Sequence, residues 1–105
     1  MASANTNLLG GAQSGDLAAT GASSTFVNEG KDFNVSVRGT FVGTVTLDRS
    51  FDGGSNWFVC SSDSAGTAAS WTAPFSVMVT DREENTLYRL SFTRTSGTVT
   101  YRISQ

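Results

Sequence analysis

The residues from Ser50 to Trp57 form the most chemically suggestive motif of the chain. They read Ser-Phe-Asp-Gly-Gly-Ser-Asn-Trp and match the Asp-box pattern S-x-D-x-G-x-x-W. An aspartate in such a turn accepts hydrogen bonds from backbone N–H groups, glycines supply positive φ angles, and a tryptophan covers the turn from the next strand. We therefore predict that Ser50, Asp52, Gly53, Gly54 and Trp57 build a structural hairpin turn.

A metal site and a sugar site are the alternatives for this turn. A calcium loop places oxygen ligands at alternating positions, and this turn does not. The motif resembles that of sialidases and other propeller proteins, which carry several copies around a ring of blades, whereas one copy is present here. The single copy favours the structural interpretation.

Catalytic chemistry is poorly represented in the chain. The absence of histidine excludes the Ser-His-Asp and Cys-His arrangements and most zinc sites. Without a histidine base, Cys60 is expected to be a small, buried or half-buried hydrophobic residue. The only adjacent carboxylates, Glu83 and Glu84, follow Arg82 in a charged connection that offers no rigid cleft. We predict a non-enzyme with no catalytic, cofactor-binding or metal-binding residues.

Length and charge limit the remaining classes of function. A chain of 105 residues has room for one core. A net charge of −2 gives no basic field for nucleic acid. Residues 1–25 lack the basic start and apolar run of a secretory signal, and no segment approaches the ~20 apolar residues of a membrane span. We expect folding in a cytoplasm and neither nucleic acid nor membrane as a partner.

Residues 1–24 differ in composition from the rest of the chain. They contain six Ala, four Gly and four Ser, and Leu8 and Leu9 are their only adjacent pair of large apolar residues. So little apolar surface does not repay the entropy of ordering. We predict a flexible N-terminal arm over residues 1–24, with Leu8 and Leu9 docking on a neighbouring surface or, alternatively, with simple disorder throughout. Residues 25–105 then form one domain.

From Phe26 onward, short runs alternate apolar and polar residues with the period of two that is typical of β-strands. One strand is predicted over residues 33–38, and its expected partner runs from Phe41 to Ser50. Gly43 interrupts the apolar series of the second strand and indicates a bulge. Pro74 lacks a backbone N–H and is expected to open an edge strand.

The C-terminal residues are predicted to form a hairpin that turns at Ser96 and Gly97. In that register Phe92 faces Tyr101 and Leu90 faces Ile103, which brings the apolar side chains onto one face. Strands of this kind, about six to seven in number, predict an all-β fold, either an antiparallel β-sandwich or a small barrel.

Two segments carry a resemblance to a known group of proteins. One is Gly39 to Trp57, GTFVGTVTLDRSFDGGSNW; the other comprises LYRL, beginning at Leu87, and the final TSGTVTYRISQ. Together they resemble small β-rich virion proteins of tailed bacteriophages and cover under half of the chain.

The resemblance implies a β-rich domain that assembles on a phage particle. For this chain we expect a capsid decoration or cement protein, which binds the major capsid protein on the virion surface after assembly in the host cytoplasm. A homo-oligomer is expected, with a trimer as the simplest guess. A neck, tail or fibre component is the first alternative, and a carbohydrate-binding module centred on Trp71 or Phe58 is the second.

Overall fold

The computed structural model describes residues 12–61 and 68–105, which form ten strands and no helix. No membrane-spanning helix is therefore found in these residues. In chain order the strands are β1 (Ala12–Leu17), β2 (Gly21–Ala22), β3 (Phe26–Val27), β4 (Phe33–Arg38), β5 (Phe41–Ser50), β6 (Phe58–Val59), β7 (Ser70–Trp71), β8 (Phe75–Val79), β9 (Leu87–Gly97) and β10 (Val99–Ser104).

The strands form two antiparallel sheets packed face to face. Sheet one has the strand order β1-β10-β4-β8, and sheet two has the order β2-β9-β5-β6, with β3 also paired to β9 and β7 also paired to β5. Neither sheet closes on itself within the described residues. The prediction of an all-β antiparallel sandwich is confirmed, and the barrel alternative is excluded for this part of the chain.

One long antiparallel ribbon runs through both sheets. In sheet one β4 pairs with β10 as far as Arg38 opposite Thr100, and in sheet two β5 pairs with β9 starting from Phe41 opposite Gly97. These two pairings share one register, so the same two stretches of chain stay partners while they pass from one sheet into the other. Strands that switch sheets in this way make the corners of a sandwich.

Glycines occupy the corner of the ribbon. Gly39 has φ +117° and Gly97 has φ +82°, conformations that other residues rarely adopt. A side chain at Gly39 would strike the carbonyl oxygen of Thr98, and one at Gly97 would strike that of Thr40. The N–H of Thr98 donates a hydrogen bond to the Thr40 carbonyl at 3.1 Å. The corner is therefore a close backbone contact that leaves no room for a Cβ atom.

The core lies between the sheets and is rich in aromatic residues. Phe33 of β4 packs against Tyr88 of β9 with ring centroids 4.7 Å apart and against Phe26 of β3 at 5.2 Å. All three rings are fully or almost fully buried. The other buried core residues are Val35, Val37, Val45, Leu47, Cys60, Ala69, Leu90, Phe92, Val99, Tyr101 and Ile103.

The predicted strands over residues 33–38 and 41–50 are confirmed, including the bulge, since the β5–β9 register shifts between Val42 and Gly43. The edge strand after Pro74 is also confirmed, because β8 ends sheet one. The expected pairing between the first two of these strands is wrong, because β4 and β5 belong to different sheets.

The predicted C-terminal hairpin is wrong as well. β9 pairs with β5 and β10 pairs with β4 and β1, so Phe92 and Tyr101 belong to different sheets. The apolar residues of both strands do point at each other, but across the core and not side by side. A bend at Gly97 buries both apolar faces, whereas a flat hairpin would leave one face of its sheet uncovered.

Residues 12–24, predicted as part of a flexible arm, belong to the sandwich. β1 pairs with β10 along its whole length, from Ala12 opposite Ser104 to Leu17 opposite Val99. Further on, the N–H of Ser23 donates to the Leu90 carbonyl at 2.8 Å. Backbone hydrogen bonds to existing sheet edges thus hold a segment that has little apolar surface of its own.

The glycine corner generates a test of the fold. We expect Gly97→Ala to lower the free energy of unfolding by at least about 2 kcal/mol, because it adds a strained φ and a steric overlap. Gly21→Ala is the matched control, since Gly21 is exposed in β2 and has open space around it. Its effect should stay within about 0.5 kcal/mol. Urea unfolding of both variants measures this, and an equal loss in the two would contradict the role of the corner.

Candidate functional site

One side of the sandwich is closed by the chain and the opposite side is open. On the closed side the chain passes from β1 of sheet one to β2 and β3 of sheet two. On the other side the edge strand β8 is opposed, among the described residues, only by the two-residue strands β6 and β7. A cleft of about 430 Å³ opens there between the sheets.

Most of the residues that line this edge cleft are apolar, while polar atoms supply about half of its exposed surface. Val77 and Val79 project inward from β8 and are only partly buried, and Leu47 of β5 forms part of the opposite wall. Trp71 of β7 stacks on Phe75 of β8, with ring centroids 3.8 Å apart and planes inclined by 10°. This stack joins the two sheets at one end of the edge cleft.

A polar group stands at the other end. The hydroxyl of Tyr88 donates a hydrogen bond to Asp81 Oδ2 at 2.6 Å, and Arg49 Nη1 lies 4.0 Å from the same oxygen. Arg49 lies on the same inward-facing side of β5 as Val45 and Leu47, so the alkyl part of its side chain enters the edge cleft. Its Nε is buried and has no hydrogen-bond acceptor.

The connection that carries Asp81 is held in place by a buried amide. Asn28 Nδ2 donates to the carbonyls of Asp81 at 2.9 Å and Glu83 at 3.1 Å. The side chain of Thr86 donates to the same Glu83 carbonyl at 2.8 Å, and Gln105 Nε2 donates to Asn28 Oδ1 at 2.9 Å. Residues distant in sequence therefore fix the polar end of the edge cleft.

Arg49 is the only charged side chain among the residues that line the edge cleft, and the Asp81 carboxylate lies beside it at the polar end. Burial raises the pKa of the Cys60 thiol to about 11, and burial together with the hydrogen bond to Asp81 raises the pKa of Tyr88. Burial acts against the charge of Arg49, but its interactions with Tyr88, Cys60 and Asp81 outweigh this and raise its pKa. At neutral pH Cys60 and Tyr88 are uncharged and Arg49 is a cation.

Cys60 is 8 % exposed, which confirms the expectation of a small buried hydrophobic residue.

Two exposed aromatic residues extend the rim of the edge cleft next to Arg49. The Arg49 guanidinium lies over the ring of Phe51 at 5.2 Å, and that ring is 6.0 Å from Phe58. Phe51 and Phe58 are 50 % and 56 % exposed.

The Asp-box turn has the hydrogen bonds expected of a structural hairpin. Ser50 Oγ donates to Asp52 Oδ1 at 2.8 Å and accepts from the N–H of Gly54 at 3.0 Å, and Asp52 Oδ1 accepts from the N–H of Asn56 at 2.9 Å. Gly53 and Gly54 have φ angles of +74° and +98°. The turn residues therefore satisfy one another.

Trp57 covers this turn from the side, as predicted. Its indole N–H donates to the Gly54 carbonyl at 3.0 Å, and the guanidinium of Arg89 lies 4.2 Å from its ring centroid. Arg89 Nε in turn donates to Asp48 Oδ2 at 3.3 Å, and Ser91 donates to the same carboxylate oxygen. Trp57 is thus tied into a network on the outer face of sheet two.

The other predicted site residues fall in different places. Leu8 and Leu9 lie outside the described residues. Trp71 and Phe58 do not share an outward face, because Trp71 is stacked in the edge cleft. The group at the polar end of the cleft was not predicted from the sequence; the signal for it is the charged Arg49 at an inward-facing position of its strand.

Comparison with known proteins finds no family model that matches the chain and no curated protein with a matching sequence. Within residues 12–61 and 68–105, no cluster of three or more Cys, Asp or Glu side chains is arranged to hold a metal ion.

The ionisation of Asp52 in the Asp-box turn is expected to make stability depend on pH. Hydrogen bonds from the backbone and side chain of Asn56 and from Ser50 lower the pKa of Asp52 from 3.8 to about 2. The folded carboxylate stays ionised where the unfolded one is protonated, so its contribution to stability is complete above about pH 4 and is lost as the pH falls through about 2. A carboxyl NMR titration should show a midpoint near 2 for Asp52.

Two variants test the cause of that shift. Ser50→Ala and Asn56→Ala each remove a side-chain donor and should move the Asp52 midpoint up towards 3.8. Ser55→Ala alters the turn without removing a side-chain donor to Asp52 and should leave the midpoint in place. If the Asp52 midpoint stays near 2 in both Ser50→Ala and Asn56→Ala, hydrogen bonding is refuted as the cause of the low pKa.

Proposed function

We propose that this protein is a structural protein of a tailed-bacteriophage virion, specifically a capsid decoration or cement protein. In this proposal it binds the major capsid protein at the capsid surface and stabilises the head shell. The observation that carries the proposal is the resemblance of two segments to small phage virion proteins. Those segments include β5 with its Asp-box turn and most of β9 and β10, so the resemblance falls on the ribbon at the centre of the fold.

The outward face of sheet one supports this proposal as a docking surface. Ser14, Arg102, Ser36 and Ser76 lie next to one another in register across all four strands of sheet one. These four residues line an open groove of about 560 Å³ on this face, and the Ser36 and Ser76 hydroxyls are hydrogen-bonded at 2.7 Å. An open, concave face of this kind suits contact with a convex part of another protein, such as a subunit of a shell.

Binding to a shell also provides a source of stability. A partner that binds only the folded state stabilises it by mass action, and symmetric neighbours on a shell multiply such contacts. We propose that copies of the chain associate with each other there, with a trimer as the working model. A neck, tail or fibre component is the alternative, because the same resemblance covers those proteins.

Copy number separates these positions. We expect quantitative mass spectrometry and cryo-electron microscopy of particles from the encoding phage to find on the order of hundreds of copies on the head. About a dozen copies or fewer at the neck or tail would show that the protein is a neck, tail or fibre component and not a decoration protein, because those structures have low rotational symmetry. Absence from purified particles would overturn the proposal altogether.

The role of Leu8 and Leu9 as anchors is tested on shells that lack the protein. Deleting residues 1–11 leaves β1 intact, so the domain should keep its thermal stability while its occupancy on shells falls. Replacing Leu8 and Leu9 by Ser should reproduce the loss, whereas replacing Asn5 and Asn7 by Ser is the control and should not. Undiminished occupancy after the deletion would rule out the anchor without affecting the copy-number result.

A further inference from the structure

We propose that the edge cleft binds a small apolar molecule that carries a carboxylate group. The chemistry comes from two features that meet in one cavity: a row of apolar side chains between the sheets, and a guanidinium at its polar end with an unused hydrogen-bond donor. This binding site is independent of the assembly role, since it faces the side of the sandwich and not the outward face of sheet one.

The shape of the edge cleft defines the size of the ligand. Its volume of about 430 Å³ falls in the range of roughly 300–1,000 Å³ that is typical of small-molecule sites. The Trp71–Phe75 stack lies at one end, and the Tyr88–Asp81 hydrogen bond ties β9 to the connection after β8 at the other. A compact ligand fits between these two contacts without displacing either.

The charge of the edge cleft defines the ligand's polar group. Arg49 Nε is buried without an acceptor, the only such side-chain atom found in the described residues. Asp81 does not supply the missing acceptor, because Nε has no hydrogen-bond partner and even Nη1 lies 4.0 Å from Asp81 Oδ2, beyond hydrogen-bond distance. A buried donor without a partner is costly, and a planar carboxylate fits the guanidinium fork. On binding, the Arg49 side chain, which is 40 % exposed and lines the edge cleft, would turn its guanidinium towards such a ligand.

The apolar walls define the rest of the ligand. Leu47 and Cys60 line one side, and Val77 and Val79 line the other. The thiol of Cys60 is neutral at physiological pH, so it adds no second charge. Val77 and Val79 are packed against the core yet only partly buried, so apolar ligand atoms would cover surface that is otherwise open to water.

Octanoate and octanol form a matched pair of probes for this site, because they share an alkyl chain and differ in charge. We expect octanoate at pH 7 to produce saturable shifts in the amide NMR signals of Val77 and Val79 and in the indole signal of Trp71, with Kd of about 1 mM or tighter. Octanol should bind at least about tenfold more weakly, because it lacks the charge that Arg49 recognises.

Three variants assign the effect to named residues. Arg49→Gln should weaken octanoate binding about tenfold and bring it to the level of octanol. Arg102→Gln removes an exposed arginine from the outward face of sheet one and should leave binding unchanged. Val77→Phe fills the edge cleft and should abolish binding of both probes. Dispersed amide spectra for each variant verify that it is folded.

The proposal is overturned if octanoate causes no saturable shifts, if octanol binds equally well, or if Arg49→Gln and Arg102→Gln behave alike. If Arg49→Gln does not fold, Arg49→Lys takes its place; it keeps the charge but loses the fork, and undiminished octanoate binding by this variant contradicts the bidentate contact. If an acetylated Leu-Leu-Glu peptide binds more tightly than octanoate, the proposed small ligand is wrong and the site binds a polypeptide.

Discussion

The bend of the β4–β5 and β9–β10 ribbon is the constraint on which the rest of the structure depends. Two stretches of chain stay paired in one register while they leave one sheet and enter the other. The bend lies where Gly39 and Gly97 allow two backbones to approach more closely than a Cβ atom permits. Folding the ribbon on itself turns its two apolar faces towards each other, and that is the origin of the core.

The bend also determines which surfaces remain available. Once the ribbon occupies the middle of both sheets, the remaining strands must add to its edges. The chain from β1 to β3 spans both sheets and seals one side. On the other side, β8 has only β6 and β7 opposite it among the described residues, and the edge cleft results. The cleft is thus a consequence of unequal edge strands and not of any local motif.

The two candidate sites differ in how they are held together. The Asp-box turn is local, since Ser50, Asp52 and Asn56 satisfy one another within a few residues of chain. The polar end of the edge cleft is non-local, because Arg49, Asp81 and Tyr88 come from three separate segments. Asn28, from a fourth segment, holds the connection that carries Asp81. The hydrogen bonds of the first are complete, whereas the second retains a buried side-chain donor, Arg49 Nε, that has no acceptor.

Local features of the fold were predictable from the sequence alone. The period of two located β4 and β5, Gly43 indicated the bulge, Pro74 indicated the edge strand, and the spacing from Ser50 to Trp57 predicted the turn. Each of these depends on neighbouring residues, through side-chain alternation, backbone conformation or short hydrogen bonds. The sequence by itself therefore determined the class of fold and the nature of its sharpest motif.

Only the tertiary structure decided which strands pair and which polar groups meet. The apolar alternation of Leu90, Phe92, Tyr101 and Ile103 fits a flat hairpin as well as a bent ribbon, and burial of both faces is what selects the bend. The polar segment over residues 12–24 is ordered by backbone pairing to edges that exist only in the folded domain. The group at the polar end of the edge cleft likewise exists only once both sheets are packed, because its members are far apart along the chain.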